Sequence, residues 1–381
     1  MDIYFISVVL FFAVLAVLIY KDRKNIDFKY IVVMRRTKRF RDLIDKVARI
    51  SPKWWIRIYT FAIALCFIFM FVGVFSLSEL MFKILIGLVK QPGLQLILPT
   101  AAASGAVGPG YILIPFWFWI VVIGIILIPH ELSHGIAARA EKIRLKSVGL
   151  MLLAILPGAF VEPDEAQLKK TKIMTRLRVF AAGSFANFMV ALSVFLLTAF
   201  LLWPAFAAPG VQLLSVNETG PAYAAGLRPN MTITEINGNR VEATYMEHLN
   251  GKGYFVDEAG VLEKGDTLSM VSDGASYSIV PVFSEETNTT SIGITYKPIF
   301  RSNEELLLST VIPFFNMVWL FSFAVGLVNL LPLYPLDGGL MYDAVIQKYF
   351  KKRSKIIVKA TAILILLIMV FDFIGPVLMN L

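Results

Sequence analysis

"LIPHELSHGIAARA", residues Leu127 to Ala140, closes an apolar run of about two dozen residues. Two histidines and a glutamate arrive where a membrane helix is expected to be oily. On a helix, positions i and i+4 share a face, so His130 and His134 can reach one ion together. Glu131 sits beside them and can take a proton from water that such an ion activates. Three ionisable groups at membrane depth cost several kcal/mol unless something compensates them, and a bound metal does so. The chain has three histidines; the third, His248, reads as a surface residue of a soluble segment.

The surroundings of this stretch set its context. Of 381 residues, 57% are hydrophobic and 17% charged, whereas a soluble domain carries about a quarter charged residues. Several apolar runs exceed the roughly 18 to 20 residues that a bilayer requires. Six spans are expected, near 1–20, 58–78, 111–136, 177–203, 306–333 and 356–379. The first run lacks a basic start and a small-residue cleavage site, so it reads as a retained span. Cys66, the lone cysteine, lies in the second run and reads as an apolar packing residue. The stretch 79–110 is apolar but broken by prolines and glycines, which suggests an interfacial or re-entrant segment.

Loop charges fix an orientation. Residues Lys21 to Arg57 hold 13 Lys and Arg against 4 Asp. Between two spans such a block marks the cytoplasmic side and its anionic lipid rather than a nucleic-acid site. Within it, Phe40, Leu43, Ile44, Val47 and Ile50 recur at helical spacing until Ser51-Pro52, as in an amphipathic helix lying on the membrane. Residues 137–178 carry 9 basic against 4 acidic residues, and 348–359 carry 6 and none. Even numbers of spans separate these three loops, so all fall on the cytoplasmic side. Residues 204–304, with 6 basic and 12 acidic residues, fall outside, as do both termini.

A catalytic zinc needs a third protein ligand and an open position for water. "NLLPLYPLDGGLMYDA", Asn329 to Ala344, supplies the candidate Asp337, in backbone broken by Pro332, Pro335, Gly338 and Gly339. Irregular backbone at membrane depth is tolerated where it is buried or lines a wet cavity. The third and fifth spans run in the same direction. His130, His134 and Asp337 should therefore lie at one depth, although more than two hundred positions separate them.

With these motifs the chain resembles the site-2 protease family, zinc metalloproteases that cut within membranes. The resemblance rests on "HELSHG" and "NLLPLYPLDGG" and covers roughly 111–203 and 306–345. It implies that His130, His134 and Asp337 ligate Zn2+ and that Glu131 is the general base. "GLMLLAILPGAFVEPDE", residues 149–165, resembles the family's membrane-associated β-hairpin. "AGSFANF", residues 182–188, resembles its Gly-x-x-x-Asn signature, with Ser184 where proline is common. The resemblance implies close helix approach at Gly183, and contact with the substrate backbone or developing oxyanion at Asn187; Asn329 is carried over as a second substrate-binding residue.

Residues 205–300 form the soluble domain. β-formers cluster in "GVQLLSV", "MTITEING", "DTLSMVSDG" and "YSIVPVF", separated by turn signals at Asn237-Gly238 and Asp273-Gly274. The segment resembles PDZ domains, with Asn230 replacing their usual glycine. Such domains take a peptide C-terminus, here expected at backbone NH groups near Pro209-Gly210-Val211; a size filter is the other reading. Three glycosylation-type sequons, at Asn217, Asn230 and Asn288, fit an external face.

The expected fold is a polytopic α-helical membrane protein of about six transmembrane helices, with an inserted α/β PDZ-like domain and a membrane-associated β-hairpin. Residues 1–110 hold the first spans, the basic loop and the re-entrant segment. Residues 111–204 hold the core spans with the histidine motif, 205–300 the PDZ-like insert, 301–345 the Asp337 span and 346–381 the last span. The expected function is hydrolysis of peptide bonds within or near the spans of transmembrane protein substrates, in a multi-pass protein of the cell membrane. Two alternatives remain: an inactive scaffold with a peptide-binding PDZ domain, or a transporter handling metal or protons. The presence of Glu131 and all three ligands argues against both.

Overall fold

The computed structural model describes residues 3–29, 32–153, 156–241, 267–284, 289–300 and 305–379. His248 and Asn288 lie outside them. Two units are distinguished: Met1–Leu192 with Met317–Leu381, and Ser193–Asn316.

The helices are α1 (Ile3–Lys21), α2 (Lys38–Ile50), α3 (Pro52–Leu85), α4 (Phe116–Ala140), α5 (Glu165–Lys169), α6 (Ile173–Leu197), α7 (Glu305–Asn329), α8 (Asp337–Phe350) and α9 (Ser354–Met379). Among the described residues, six stretches are long and apolar enough to cross a membrane: Ile3–Lys21, Pro52–Leu85, Phe116–Ala140, Ile173–Leu202, Thr310–Asn329 and Asp337–Pro376. This is a multi-pass membrane protein. α3 begins with Pro52 in its first turn, where the missing N–H has no helical partner to lose.

In the first unit, the core gathers Ile44 of α2, Tyr59, Ala62, Cys66 and Met70 of α3, Ala137 and Ala138 of α4, Ala181, Ala182 and Phe185 of α6, and Met341 of α8. Small residues at the contacts let the helix backbones approach closely, which is how spans associate where no hydrophobic driving force separates helix from lipid. Cys66 is fully buried, a packing residue as expected.

Three features differ from the sequence expectation. The basic loop is not helix alone. Its first half forms β1 (Ile26–Lys29) and β2 (Val32–Arg36), which join β6 (Leu145–Leu153) and β7 (Leu156–Pro163) in an antiparallel sheet ordered β1-β2-β6-β7. Asp22 bonds Arg35 beside this sheet. The second concerns 79–110. α3 runs on to Leu85, then β3 (Leu96–Thr100), β4 (Ala106–Gly108) and β5 (Tyr111–Pro115) form a small sheet ordered β3-β5-β4. The third span accordingly starts at Phe116. The prolines and glycines punctuate strands there rather than a re-entrant coil. The third is α2: Phe40, Ile44 and Ala48 face the core, while Leu43 and Ile50 are exposed. Its apolar side is shared between protein and surroundings, because an i, i+4, i+8 row is all that one helix–helix contact needs.

In the second unit, β8 (Ala207–Val216), β9 (Thr232–Ile236), β10 (Asn239–Arg240), β11 (Leu268–Ser272), β12 (Ala275–Ile279) and β15 (Ile294–Phe300) form one sheet ordered β12-β11-β9-β8-β15, with β10 paired to β9. β13 (Val282–Ser284) and β14 (Thr289–Ser291) pair separately. Val211, Leu213, Leu227, Ile233, Leu268 and Met270 make its core. The two expected hairpin turns are present: Asn237 and Gly238 have φ of 49° and 82°, Asp273 and Gly274 50° and 78°. Positive φ at both central residues matches the right-handed twist of the flanking strands. Asn230 also takes φ of 70°, so it keeps the left-handed turn that glycine would make. At the expected carboxylate position, the Gly210 N–H donates to the Val241 carbonyl at 2.8 Å, and β8 pairs with both β9 and β15.

The α2 contact is open to test. Ile44 packs against Gly135 of α4 and is 1% exposed, whereas Leu43 is 45% exposed. Ile44→Ala should cost about 2–5 kcal/mol of stability, read as a lowered melting temperature of the detergent-solubilised protein. Leu43→Ala should leave that temperature nearly unchanged. Equal effects at the two positions would contradict the buried face.

Candidate metal centre

The site is built from two segments. One turn of α4 sets His130 and His134 on the same face, with their Nε2 atoms 3.3 Å apart. Asp337 is the first residue of α8, where the helix N-terminus favours a carboxylate. Its place is set by the glycines after it. A Cβ on Gly338 would strike the Leu330 backbone, and one on Gly339 the Leu333 carbonyl. Only glycines let the first turn of α8 fold back onto residues 330–334. Asp337 Oδ1 then lies 3.2 Å from His134 Nε2, and Oδ2 3.5 Å from His130 Nε2.

These separations suit a metal. Zinc–ligand bonds of about 2.0–2.1 Å in a tetrahedron place ligand atoms roughly 3.3–3.4 Å apart. One donor atom from each of the three residues lies within 4.8 Å of the others. The backbone leaves the space as well. A Cβ on Gly183 would collide with His134 Nε2 and lie 2.6 Å from His130 Nε2.

α6 contributes no donor atom, yet it contacts all three residues. The Val179 carbonyl accepts from His134 Nδ1 at 2.7 Å. That bond puts the proton on Nδ1 and leaves Nε2 free to ligate. Ser184 donates its Oγ–H and its N–H to Asp337 Oδ2, at 2.9 and 3.2 Å. The Asn187 amide lies 3.1 Å from His130 Nδ1. A ligating His130 Nε2 requires the proton on Nδ1, so the amide must present its oxygen there.

Glu131 faces the same cavity, a space of about 760 Å³ also lined by His130, His134, Asp337 and Asn329. Its Oε2 accepts from the Val161 N–H of β7 at 3.0 Å. Lys169, Arg176 and Asp343 add charge to the lining. Glu165 and Lys169 bond each other at 2.9 Å, which holds the carboxyl below and the ammonium above their ordinary ranges.

Residues 118–371, more than half of the chain and including every residue of this site, match the profile of peptidase family M50. The chain belongs to peptidase family M50. This membrane metallopeptidase homologue is 29% identical over 362 residues to an uncharacterised protein of Methanocaldococcus jannaschii, covering 92% of this chain and 88% of that one. It is 28% identical over 155 residues to a membrane-bound transcription factor site-2 protease homolog of Arabidopsis thaliana, covering 39% of this chain and 28% of that protein.

Within this M50 chain, His130, Glu131, His134, Asp337 and Asn329 come together as the sequence suggested. Asn187 lies apart from them: it is fully buried and stands behind His130, away from the cavity lining. Val179, Ser184 and Val161 were missed. Val179, Gly183 and Asn187 recur every four residues, a row on one helix face, and Ser184 adjoins it.

Gly183 gives a direct check. Gly183→Ala should strip the purified protein of most of its metal, measured by elemental analysis, because the new methyl group takes the space between the imidazole nitrogens. Gly124→Ala is the control, since a Cβ there meets nothing within 4 Å. Wild-type metal content in Gly183→Ala would remove the ion from this position.

Proposed function

We propose that this chain is an intramembrane zinc protease that hydrolyses peptide bonds within or near the spans of membrane-anchored proteins. The observation that carries the reading is the convergence of His130, His134 and Asp337 beside Glu131 on one cavity, on helices long enough to cross a bilayer. A zinc ion held by the three ligands would supply Lewis acidity toward the scissile carbonyl and toward water. Glu131 then accepts the proton of the attacking water and passes it to the leaving amine. Asn329 has amide donors for the substrate backbone or the developing oxyanion.

A substrate span must unwind before it is cut, since helical backbone is already hydrogen-bonded. β7 offers a partner for the unwound segment. Among the described residues it is an edge of its sheet, paired only with β6, and its Val161 N–H points at Glu131. An extended segment added to this edge would run past the general base. The sheet would work at the membrane surface, with the basic segments of 21–57, 137–178 and 348–359 toward the cytoplasm and anionic lipid. The second unit and both termini would then lie outside. Its order of strand β8, short helix Pro221–Ala224, strand β9 and glycine hairpin supports a PDZ-like assignment. With the Gly210 N–H already donated, we assign it to filtering substrates by the bulk of their external domains.

Two experiments test the reading. In the first, Glu131→Gln should keep its zinc and lose cleavage of a model span by about 10²–10⁴-fold, while His134→Ala and Asp337→Ala should lose both. Near wild-type cleavage by Glu131→Gln would falsify the general-base assignment. The second is labelling with a membrane-impermeant thiol reagent, for which buried Cys66 gives little background. Cysteines at Lys38 and Lys352 should react from the cytoplasmic side and one at Asp273 from outside. External reaction at Lys38 would invert the orientation.

A further inference from the structure

We propose that Ser184 is a positioning residue for Asp337: by holding Oδ2 with two hydrogen bonds, it fixes the carboxylate in the rotation that turns its oxygens toward His130 and His134. The inference rests on the reading of His130, His134 and Asp337 as a metal site.

Both donors of one residue converge on one atom. The hydroxyl lies 2.9 Å and the amide nitrogen 3.2 Å from Asp337 Oδ2. A serine inside a helix ordinarily returns its hydroxyl to a carbonyl of its own preceding turn. Here the hydroxyl instead crosses to a residue 153 positions away. Ser184 is fully buried and Asp337 is 8% exposed, so no bulk water competes for that oxygen.

The consequence is geometric. A carboxylate free to turn about its last bond could swing its oxygens away from the imidazoles. Two donors on Oδ2 stop that rotation. Oδ1 then lies 3.2 Å from His134 Nε2 and Oδ2 3.5 Å from His130 Nε2, separations that suit neighbouring ligands of one ion. Outer partners of this kind are worth roughly 10–100-fold in metal affinity. Position 184 is also where the chain departs from the pattern of the family it resembles. A proline there would supply neither donor, so this chain holds its carboxylate by a means that proline cannot provide.

The test uses the full-length protein in detergent and reads metal rather than turnover. Ser184→Ala should weaken zinc binding by about 10–100-fold in competition with a chelator. It should change the visible absorption of the cobalt-substituted protein and leave the melting temperature of the metal-free protein unchanged. Ser184→Thr, which keeps the hydroxyl, should restore both metal readouts. Zinc affinity within about twofold of wild type, with an unchanged cobalt spectrum, would overturn the proposal. So would a weakening that comes with an equally destabilised metal-free protein. A wild type that binds zinc without cutting a span sinks proteolysis and leaves the serine's role standing. A wild type that binds no zinc sinks both.

Discussion

Two imidazoles and a carboxylate buried among alanine and phenylalanine side chains must each find a partner, or the helices carrying them do not pack. Much of the first unit follows from meeting that demand. The inward-facing atoms converge as the ligands of one ion could, and α6 satisfies most of the outward-facing ones through Val179, Ser184 and Asn187. For α6 to reach that far, its facing surface must be nearly bare. Ala181, Ala182 and Gly183 make it so. The same requirement recurs at Gly338 and Gly339, where α8 folds onto the chain before it; at Gly135, where α2 meets α4, the space is taken by the apolar Ile44. Around the candidate ligands, small residues mark where polar chemistry forces close approach.

The general base is tied to the sheet as well as to the metal ligands. The Val161 N–H holds Glu131 Oε2, so the carboxylate's position depends on the register of β7. That register is fixed by pairing from Leu145 with Pro163 to Leu153 with Leu156. A slip of one residue would turn every side chain of the strand to the other face and remove the N–H from Glu131. β2 stiffens the arrangement by pairing with β6. The basic loop therefore supports the geometry of the site.

The donor set was legible in the sequence because its chemistry is unusual for its surroundings. His130, Glu131, His134 and Asp337 stand out in apolar runs, and a shared depth follows from span direction alone. The role of Asn187 was not legible. Residue type shows that an amide is present, but only the rotation of α6 shows that it faces His130 and not the cavity. Ser184 was visible as a substitution for proline, which says what was lost and not what the hydroxyl touches. β1 and β2 were hidden by length and charge. Four- and five-residue strands carrying Asp27, Lys29, Arg35 and Arg36 read as loop until β6 is beside them. In the second unit the turns were read correctly because Asn-Gly and Asp-Gly have few alternatives to positive φ.

Ligands on α4 and α8, oriented from α6, make metal binding a long-range constraint on the fold. Histidines at i and i+4 are adjacent in any helix, so α4 alone sets half the site at no cost in chain entropy. Asp337 reaches the other half only after α6 and α7 have been laid down and the chain has turned at residues 330–336. Closing so long a loop is entropically unfavourable, and the carboxylate is costly to bury until its partners are in place. Metal affinity and helix packing are then one quantity seen from two sides. An ion bound only by the assembled helices would stabilise their assembly. Each outer hydrogen bond from α6 would add to that stability by holding its partner in place.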